Sequence, residues 1–414
     1  MTVETAAPVR YRLRLKKGRE RSLELRHPWL FTGAIDEIQA LPGATPGDLG
    51  DVVDSNGRFL ARGTVQPDSQ IVCRIFVWED TPIDRDFFVA RLAAARRWRG
   101  ECISADHTDA YRLVHSEGDE LPGLVVDRYG PLLAVQTLTA GMHRLQPLWL
   151  DALEETLAPE AIVERGQEGR REPVADGPAV VLRGTWAHTL LEVREHGLRY
   201  RFDALGGQKT GLYLDQRENR ALVRRHAAGA RVLDLFGYVG GFGIAAGAGG
   251  ASDVTVVDSS APALAFARVN WESNGLAPDL LRTHDVDGFE FLRRTEETWD
   301  RIVIDPPPLA RTRTSLERAL RAYKDLNLWA FVRARPGALI WTFTCSQQVS
   351  HDLFQKVVFG AARDAGASVQ WLARLGAGPD HPVHLDHPQG EYLKGLWLRV
   401  LQPGRAPRPR EKKP

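Results

Sequence analysis

Five polar side chains in the second half of the chain lie where predicted strands end. They are four carboxylates and one thiol: Asp234, Asp258, Asp285, Asp305 and Cys345. The carboxyl ends of parallel strands share one edge of a sheet, and ligands of such sheets bind outside that edge. Carboxylates there can hold hydroxyl and amine groups, and a thiolate can act as a nucleophile. The sequence therefore predicts one combined binding and catalytic site.

Asp234 is part of the segment RVLDLFGYVGGFGIAAGAGG, residues 231–250, on which the prediction of a cofactor site depends. Its apolar start predicts a buried parallel strand, and the glycines that follow allow a ligand to approach the backbone closely. Residues 242–246 can begin a helix, and a strand, glycine loop and helix N-terminus form the cofactor corner of a doubly wound sheet. A purely structural glycine turn is the alternative.

The segment DVTVVD, residues 253–258, indicates which cofactor this corner would hold. It ends in Asp258, close to the offset of about 20 residues at which such folds place a ribose-binding acid. The glycine pattern GYVGG is not GxGxxG and no Walker lysine follows, so a nucleoside triphosphate is disfavoured. Acids on both strands fit S-adenosylmethionine better than a dinucleotide. We expect Asp258 to bind the ribose hydroxyls and Asp285 to lie near the adenine amine.

The segment RYRFDALGGQKTGLYLDQRENR, residues 199–220, has an unusual density of polar side chains around a glycine-rich turn. One interpretation is a helix N-terminus with a capping box. The other is a lid that covers the cofactor pocket. The full set of expected cofactor-binding residues is Lys209, Thr210, Tyr213, Asp215, Arg217, Asp234, Phe236, Gly237, Gly240, Gly241, Asp258, Ser259, Asp285 and Asp305.

Asp305 opens the motif Asp305-Pro306-Pro307, which follows the predicted strand WDRIVI. Such a motif holds a carboxylate and rigid backbone against a planar ring, so both prolines are expected to contact substrate. No aromatic residue follows, whereas methyltransferases that act on exocyclic amines commonly have one there. Cys345 suits another reaction, methylation at carbon 5 of a pyrimidine, in which a thiolate adds to carbon 6 and makes carbon 5 nucleophilic.

Composition places the chain among ordinary globular proteins. Its 414 residues suffice for two or three domains, and 43% hydrophobic and 26% charged residues are typical of that class. We see no signal peptide and no membrane span. The three cysteines are far apart, which disfavours a zinc site or a disulfide framework and favours the reducing cytoplasm.

The N-terminal part reads as a small β domain with a basic segment, although the net charge of the whole chain is only +1. Residues 10–26 alternate charged and apolar side chains as an edge strand would. They form either a solvated strand face or a phosphate-contacting surface that includes Lys16 and Lys17. Residues 26–63 resemble the PUA domain, an RNA-binding β module.

The order of motifs predicts an α/β protein with a Rossmann-like domain that follows a β domain and a central α+β domain. The expected boundaries are 1–77 for the PUA-like domain, 78–195 for the central domain, 196–402 for the cofactor domain and 403–414 for a disordered basic tail. Acids in one turn of the central domain are expected to be surface charge: Glu117, Asp119 and Glu120.

The motifs GGQKTGLYLDQRENR, VLDLFGYVGGFG, DPPPLAR, AYKDLNLWA, FTCS and DHPVHL occur in that order. Together they resemble the PUA-domain-containing 23S ribosomal RNA 5-methylcytosine methyltransferases, the large-subunit methyltransferase I family. The chain departs from the family pattern at Pro308-Leu309 and Gln347-Gln348. The resemblance implies Cys345 as nucleophile and Asp305 as the acid that holds a flipped cytosine.

The same resemblance implies S-adenosylmethionine as cofactor and 23S ribosomal RNA as partner, in a cytoplasmic protein without membrane contact. A homodimer is left open. Two other functions also remain at this point: methylation of another base or RNA, and a ribosome-assembly factor that binds RNA without catalysis.

Overall fold

The computed structural model describes residues 6–165, 179–188, 190–203, 212–310 and 313–406. The expected cofactor residues Lys209 and Thr210, and most of the predicted basic tail, lie outside the described residues. Chain contacts define two compact units. The described residues of the first are those up to Val193, together with Asp203 and Pro379–Gly390; the second holds Arg194–Phe202, Leu212–Gly378 and the residues from Glu391 onward.

The first unit begins with a six-stranded sheet in the order β2-β6-β5-β4-β1-β3. Its elements are β1 Val9–Leu15, α1 Arg21–Glu24, β2 Trp29–Phe31, β3 Ile35–Ala40, β4 Leu49–Val53, β5 Phe59–Val65 and β6 Ile71–Val77. In β1, Leu13 is buried and its neighbours Arg12 and Arg14 are exposed, as the alternation predicts. The expectation of an edge strand is wrong, because β1 pairs with β3 on one side and β4 on the other.

A five-stranded sheet in the order β11-β10-β9-β8-β7 completes the first unit. Its elements are α2 Arg85–Cys102, β7 Ala110–His115, β8 Leu124–Tyr129, β9 Leu132–Thr137, α3 Ala140–Arg144, α4 Gln146–Leu157, β10 Ala161–Glu164 and β11 Val180–Gly184. The turn after β7 corrects one expectation. Asp119 is not surface charge: its side chain is 8% exposed and accepts from Nη2 of the buried Arg99 at 2.7 Å.

The second unit is built around a seven-stranded sheet in the order β16-β15-β14-β17-β18-β20-β19. A hairpin of β12 Leu190–Glu195 and β13 Leu198–Asp203 leads into it. Its further elements are α5 Arg217–Arg225, β14 Arg231–Leu235, α6 Gly241–Ala248, β15 Asp253–Asp258, α7 Ala261–Ser273, β16 Leu281–Asp285, α8 Gly288–Arg294, β17 Trp299–Ile304, α9 Leu316–Arg333, β18 Ala334–Thr344, α10 His351–Ala365, β19 Ser368–Leu375 and β20 Lys394–Gln402.

This sheet confirms the predicted doubly wound fold. Strands β16, β15, β14, β17 and β18 pair in parallel, and β20 returns antiparallel to β18. The chain order reverses between β14 and β17, which creates the switch point where open α/β sheets bind ligands. Leu233 and Ile302, on these two strands, are fully buried in the core. No helix in the described part of the chain is long and apolar enough to span a bilayer.

Candidate cofactor and catalytic site

Strand register brings the predicted acids to one edge of the second unit's sheet. Asp258 and Asp285 are direct partners at the ends of β15 and β16. Leu235 at the end of β14 is the partner of Ile304 at the end of β17, and Asp305 follows Ile304. The expectation that these carboxylates lie along a common strand edge is therefore confirmed.

Asp234 is the most buried of these carboxylates, with no exposed surface. Its Oδ2 accepts from the backbone N–H of Gly243 at 2.9 Å, whereas no group in the described chain donates to Oδ1. Burial raises the pKa of Asp234 to about 7, and the charges of Asp305 and Asp258 act in the same direction, while the Gly243 bond lowers it. A buried acid with one unsatisfied oxygen fits a site that receives a donor from a ligand.

The loop after β14 needs its glycines for close packing. A Cβ on Gly237 would lie 2.5 Å from Cγ1 of Val256, and Gly240 has φ +82°. Phe236 and Tyr238 adopt φ of 64° and 49°, a conformation that side chains disfavour. Strained backbone of this kind is typical of ligand-binding loops.

Asp258 holds this loop in place. Its Oδ2 accepts from the backbone N–H of Tyr238 at 2.9 Å, and its Oδ1 accepts from Ser260 N–H at 2.9 Å. The residue is half-buried, and each carboxylate oxygen has a lone pair beyond the one that these bonds use. Ser259 and Asp285 beside it are exposed.

Two residues just before α5 and the first residue of that helix supply the other described members of the expected cofactor set. The ring of Tyr213 packs edge-on against Tyr238 at 5.5 Å, and burial raises its pKa, with the charge of Asp305 adding to the effect. Asp215 is buried and accepts from the Tyr392 hydroxyl at 2.6 Å. Arg217 is fully buried beside Glu218, to which its Nε donates at 3.0 Å. Tyr213 therefore lies beside the loop after β14, near Asp305 at the end of β17.

Cys345 directly follows the end of β18 and is half-buried. Its Sγ lies 3.9 Å from the carbonyl oxygen of Pro306. The thiol is therefore adjacent to the Asp305-Pro306-Pro307 motif. Pro306 is buried and Pro307 is exposed. A planar ring that contacts Pro307 would therefore also be near the thiol.

Tyr323 on α9 fixes the residues on both sides of Cys345. Thr344 Oγ1 donates to the Tyr323 hydroxyl at 2.8 Å, and that hydroxyl lies 3.0 Å from Ser346 Oγ. Ser346 Oγ also accepts from the backbone N–H of Ala310 at 3.1 Å. Sequence reasoning included Tyr323 only within the motif AYKDLNLWA and gave it no role, because its link to the residues beside Cys345 is tertiary.

The predicted phosphate contacts Lys16 and Lys17 lie in the first unit, on the turn after β1, and both are exposed. Lys16 Nζ donates to the Gly33 carbonyl at 3.2 Å. Arg14 differs, because it pairs with Asp36 and Glu37. The lysines therefore remain candidates for phosphate contact, and Arg14 belongs to a solvated, charge-paired face.

The first unit also has a surface pocket of about 430 Å³ near α1 and β2. Three of its lining residues carry aromatic rings, His27, Trp29 and Phe31, and Phe31 is 47% exposed. The full lining is Ser22, Leu25, His27, Trp29, Phe31, Leu385 and Asp386. Aromatic walls of this kind suit a stacked base.

Comparison with known proteins identifies the class to which the chain belongs. Residues 167–398 match the family described as S-adenosylmethionine-dependent methyltransferase, and residues 13–78 match the PUA-like domain. A solved methyltransferase from Streptococcus mutans is 21% identical and superposes with a TM-score of 0.79, covering 94% of this chain and 100% of that one. SMU.776, a methyltransferase solved in complex with SAH, gives 0.81 at 21% identity and the same coverage. The protein is an S-adenosylmethionine-dependent methyltransferase.

Full-length relatives define the group more closely. A Salmonella arizonae protein named ribosomal RNA large subunit methyltransferase I is 40% identical over 408 residues, which are 96% of this chain and 100% of the relative. The Erwinia tasmaniensis protein of the same name is 41% identical over 396 residues, 94% of this chain and 99% of its own length. The chain belongs to the ribosomal RNA large subunit methyltransferase I family.

The described residues fit S-adenosylmethionine. The unsatisfied Oδ1 of Asp234 provides a buried acceptor at the switch point, beside the close-packed loop at Gly237. Asp258, half-buried at the end of the next strand, adds two further acceptor oxygens. Acceptors predominate in this set, which suits a cofactor that carries hydroxyl, amine and cationic groups.

Proposed function

We propose that this protein methylates carbon 5 of a cytosine in 23S ribosomal RNA and that Cys345 is the nucleophile. The observation that carries the proposal is the 3.9 Å approach of Cys345 Sγ to the Pro306 carbonyl, beside Asp305 at the cofactor edge. A thiol in that place has a chemical use in carbon-5 transfer, whereas transfer to an amine needs none. The names of the relatives support ribosomal RNA of the large subunit as the substrate.

The reaction begins when the thiolate of Cys345 adds to carbon 6 of the cytosine and forms an S–C bond. The ring electrons move to carbon 5, which becomes enamine-like and nucleophilic. Bound S-adenosylmethionine supplies the methyl group that carbon 5 then takes. A base removes the carbon-5 proton, the S–C bond breaks, and the electron pair returns to sulfur. Covalent catalysis of this kind divides one difficult step into easier ones.

Asp305 and the two prolines position the base in this proposal. The Asp305 carboxylate accepts a hydrogen bond from the amine of cytosine, or holds its ring nitrogen when protonated. Pro306 and Pro307 lack N–H groups and have restricted φ, so they form a rigid wall for the ring. The target base must be unpaired or flipped out of a helix, because carbon 6 is inaccessible inside a stack.

The cofactor contacts are assigned by place in the fold. Asp258 binds the ribose hydroxyls, Asp285 lies near the adenine amine, and Asp234 accepts a donor at its unsatisfied oxygen. The loop residues Phe236, Gly237, Gly240 and Gly241 offer backbone, and Ser259 follows the ribose acid. Lys209, Thr210, Tyr213, Asp215 and Arg217 complete the proposed set of cofactor-binding residues.

The PUA-like residues of the first unit supply RNA affinity. Lys16 and Lys17 contact phosphates, and the aromatic pocket around Trp29 accepts an unpaired base. Residues 1–77 therefore bind RNA, residues 78–195 form the central domain, and residues 196–402 perform the transfer.

Nucleoside analysis of ribosomal RNA tests the reaction. A strain that lacks the gene is expected to lose one 5-methylcytosine from 23S RNA, as measured by mass spectrometry of mapped fragments. Wild-type protein restores it and Cys345→Ala does not. Loss of a different modified base, with normal 5-methylcytosine, would support the second candidate function, methylation of another position.

A further inference from the structure

Asn270 and Asn274 lie about one turn apart on α7, and both bind the backbone of β13. Oδ1 of Asn270 accepts from the N–H of Arg201 at 2.6 Å, and its Nδ2 donates to the Arg201 carbonyl at 3.0 Å. Asn274 makes the same two bonds with Arg199, at 2.9 and 2.7 Å. Residues four apart on a helix are separated by about 6 Å and residues two apart on a strand by about 7 Å, so the two amides match two successive positions on one edge of the strand. Side chains of α7 therefore bond this edge of β13 as a neighbouring strand would.

Asn270 differs from Asn274 in one contact. Its Nδ2 also donates to the carbonyl of Val239 at 3.3 Å, in the glycine loop after β14, residues 236–240. Nδ2 of Asn274 instead donates to the backbone carbonyl of Asn270 at 2.8 Å, within α7. Asn270 is fully buried, whereas Asn274 is half-buried. Each amide thus makes three hydrogen bonds to backbone, but of the two only Asn270 joins β13 to the glycine loop.

A side chain of β13 itself reaches the end of the same loop. Tyr200 is fully buried, and its hydroxyl donates to the carbonyl of Gly241, the first residue of α6, at 3.3 Å. Val239 and Gly241 flank Gly240, whose φ of +82° is a backbone conformation that most residues avoid. The backbone on both sides of this glycine is therefore tied to β13, once through Tyr200 and once through Asn270.

The two segments that Asn270 connects are both part of the proposed cofactor site. The glycine loop contains Phe236, Gly237 and Gly240 of the proposed set. Strand β13 is followed closely in the chain by the members from Lys209 to Arg217. One ligand can contact both segments only if both are correctly placed. A loop that is already held in its binding conformation loses less conformational entropy when the ligand arrives.

We propose that Asn270 is a positioning residue for S-adenosylmethionine, which holds the glycine loop in its binding conformation by tying the Val239 carbonyl to β13. This inference rests on the proposed function, which places the cofactor at that loop. It predicts that the bond to Val239, rather than the anchoring of β13, contributes to cofactor affinity. The amide acts through the loop backbone and makes no contact with the ligand.

Calorimetry with S-adenosylhomocysteine on full-length variants tests this inference. Asn270→Ala is expected to weaken the affinity about fivefold or more, the size of effect that one lost hydrogen bond produces. Asn274→Ala is the matched control, because it also removes three bonds and loosens β13 from α7 but leaves the Val239 bond in place. Its affinity is expected to stay within about twofold of wild type.

Hydrogen exchange of the ligand-free protein, measured by mass spectrometry on a peptide that covers residues 236–243, reports on the loop itself. The amides of Tyr238 and Gly240 are hydrogen-bonded in the folded loop. They are expected to exchange faster in Asn270→Ala than in Asn274→Ala or the wild type. Asn270→Ser leaves a small polar group in the buried position and repeats both measurements if Asn270→Ala does not fold.

Wild-type affinity in a folded Asn270→Ala or Asn270→Ser would overturn the inference and leave the amide as a packing contact of α7. An equal loss of affinity in Asn274→Ala would also overturn it, because the anchoring of β13 would then account for the effect.

Failure of the proposed function would be seen differently, since neither readout needs RNA or methyl transfer. If S-adenosylhomocysteine did not slow the exchange of this loop in the wild type, the proposed cofactor contacts would be wrong, and this inference with them. The expected affinities in a protein that forms no 5-methylcytosine would support the inference and refute the proposed reaction alone.

Discussion

The backbone N–H of Tyr238 donates to Oδ2 of Asp258 over 2.9 Å, which ties the loop after β14 to the end of β15. The same carboxylate accepts from Ser260, so one side chain positions both segments that surround the cofactor corner. Asp258 therefore has two roles in this account: it holds the loop after β14, and it is the proposed contact for the ribose.

Replacing Asp258 is expected to weaken cofactor binding strongly. Asp258→Ala removes the loop contacts and the ribose acceptor, and each charge-assisted hydrogen bond contributes about 1.5–3 kcal/mol. Calorimetry with S-adenosylhomocysteine should show a loss of at least about tenfold in affinity. Asp279→Ala, at an exposed acid, serves as the control. Equal affinity in a folded Asp258→Ala would remove the ribose assignment.

Asp234 is expected to make the stability of the ligand-free protein depend on pH. Its folded-state pKa of about 7 is above its ordinary value of 3.8. A raised pKa favours folding at low pH, and this contribution is lost as pH rises through 7. In Asp234→Asn the decline should be absent, with a difference from wild type of at most about 4 kcal/mol above pH 8 and much less near pH 4.

Calorimetric unfolding of both proteins between pH 4 and 8.5 measures this effect. Because asparagine retains an acceptor for the Gly243 N–H, the comparison isolates the ionisation. Parallel curves for the two proteins across this range would mean that Asp234 does not titrate there.

Tyr323 is expected to control the placement of the nucleophile. Tyr323→Phe removes the hydroxyl that contacts Thr344 and Ser346, which should lower the free energy of unfolding by about 1–2 kcal/mol. The rate of methyl transfer should fall while S-adenosylhomocysteine affinity stays the same. Tyr111→Phe, which removes a tyrosine hydroxyl in the first unit, is the control for the assay. A full transfer rate in Tyr323→Phe would show that other contacts hold Cys345.

The exposed lysines after β1 are expected to contribute salt-dependent RNA affinity. Lys16→Gln with Lys17→Gln should weaken binding of a 23S RNA fragment and reduce the slope of log affinity against log salt by about 1.4 for two lost phosphate contacts on a single strand. Cofactor affinity should not change. Lys324→Gln, in the second unit, is the control. An unaltered slope in the double variant would mean that Lys16 and Lys17 contact solvent and not RNA phosphates.

Deletion of residues 1–77 is a poor substitute for these point changes. Phe76 and Val77 are buried in one core with Phe88 and Leu92, so the deletion would open the first unit's interior. The measurement therefore uses the full chain with single side chains altered.

Local patterns were sufficient to predict the sheet and its functional edge. Apolar runs around Asp234 and before Asp258 and Asp305 gave the strands, because a buried parallel strand has a distinctive composition. The thiol was placed correctly for the same reason: Cys345 follows the last apolar residue of a strand and precedes a polar segment.

Features that depend on distant partners were not predictable. The central place of β1 follows from its pairing with β3 and β4, which its alternation cannot show. The burial of Asp119 depends on Arg99, 20 residues away on another element. The sequence pattern does not show that Lys394 is buried, and its position at the end of β18 is a consequence of the β18–β20 register.

The most direct test of the central claim is trapping of the covalent intermediate on RNA that carries 5-fluorocytosine. Fluorine at carbon 5 cannot leave as a proton does, so the S–C bond to Cys345 should persist after methyl transfer. Denaturing gel electrophoresis and mass spectrometry should show one RNA-linked peptide that contains Cys345, and Cys345→Ala should bind cofactor and RNA yet give none. Substantial methylation of unmodified RNA by Cys345→Ala would contradict the claim.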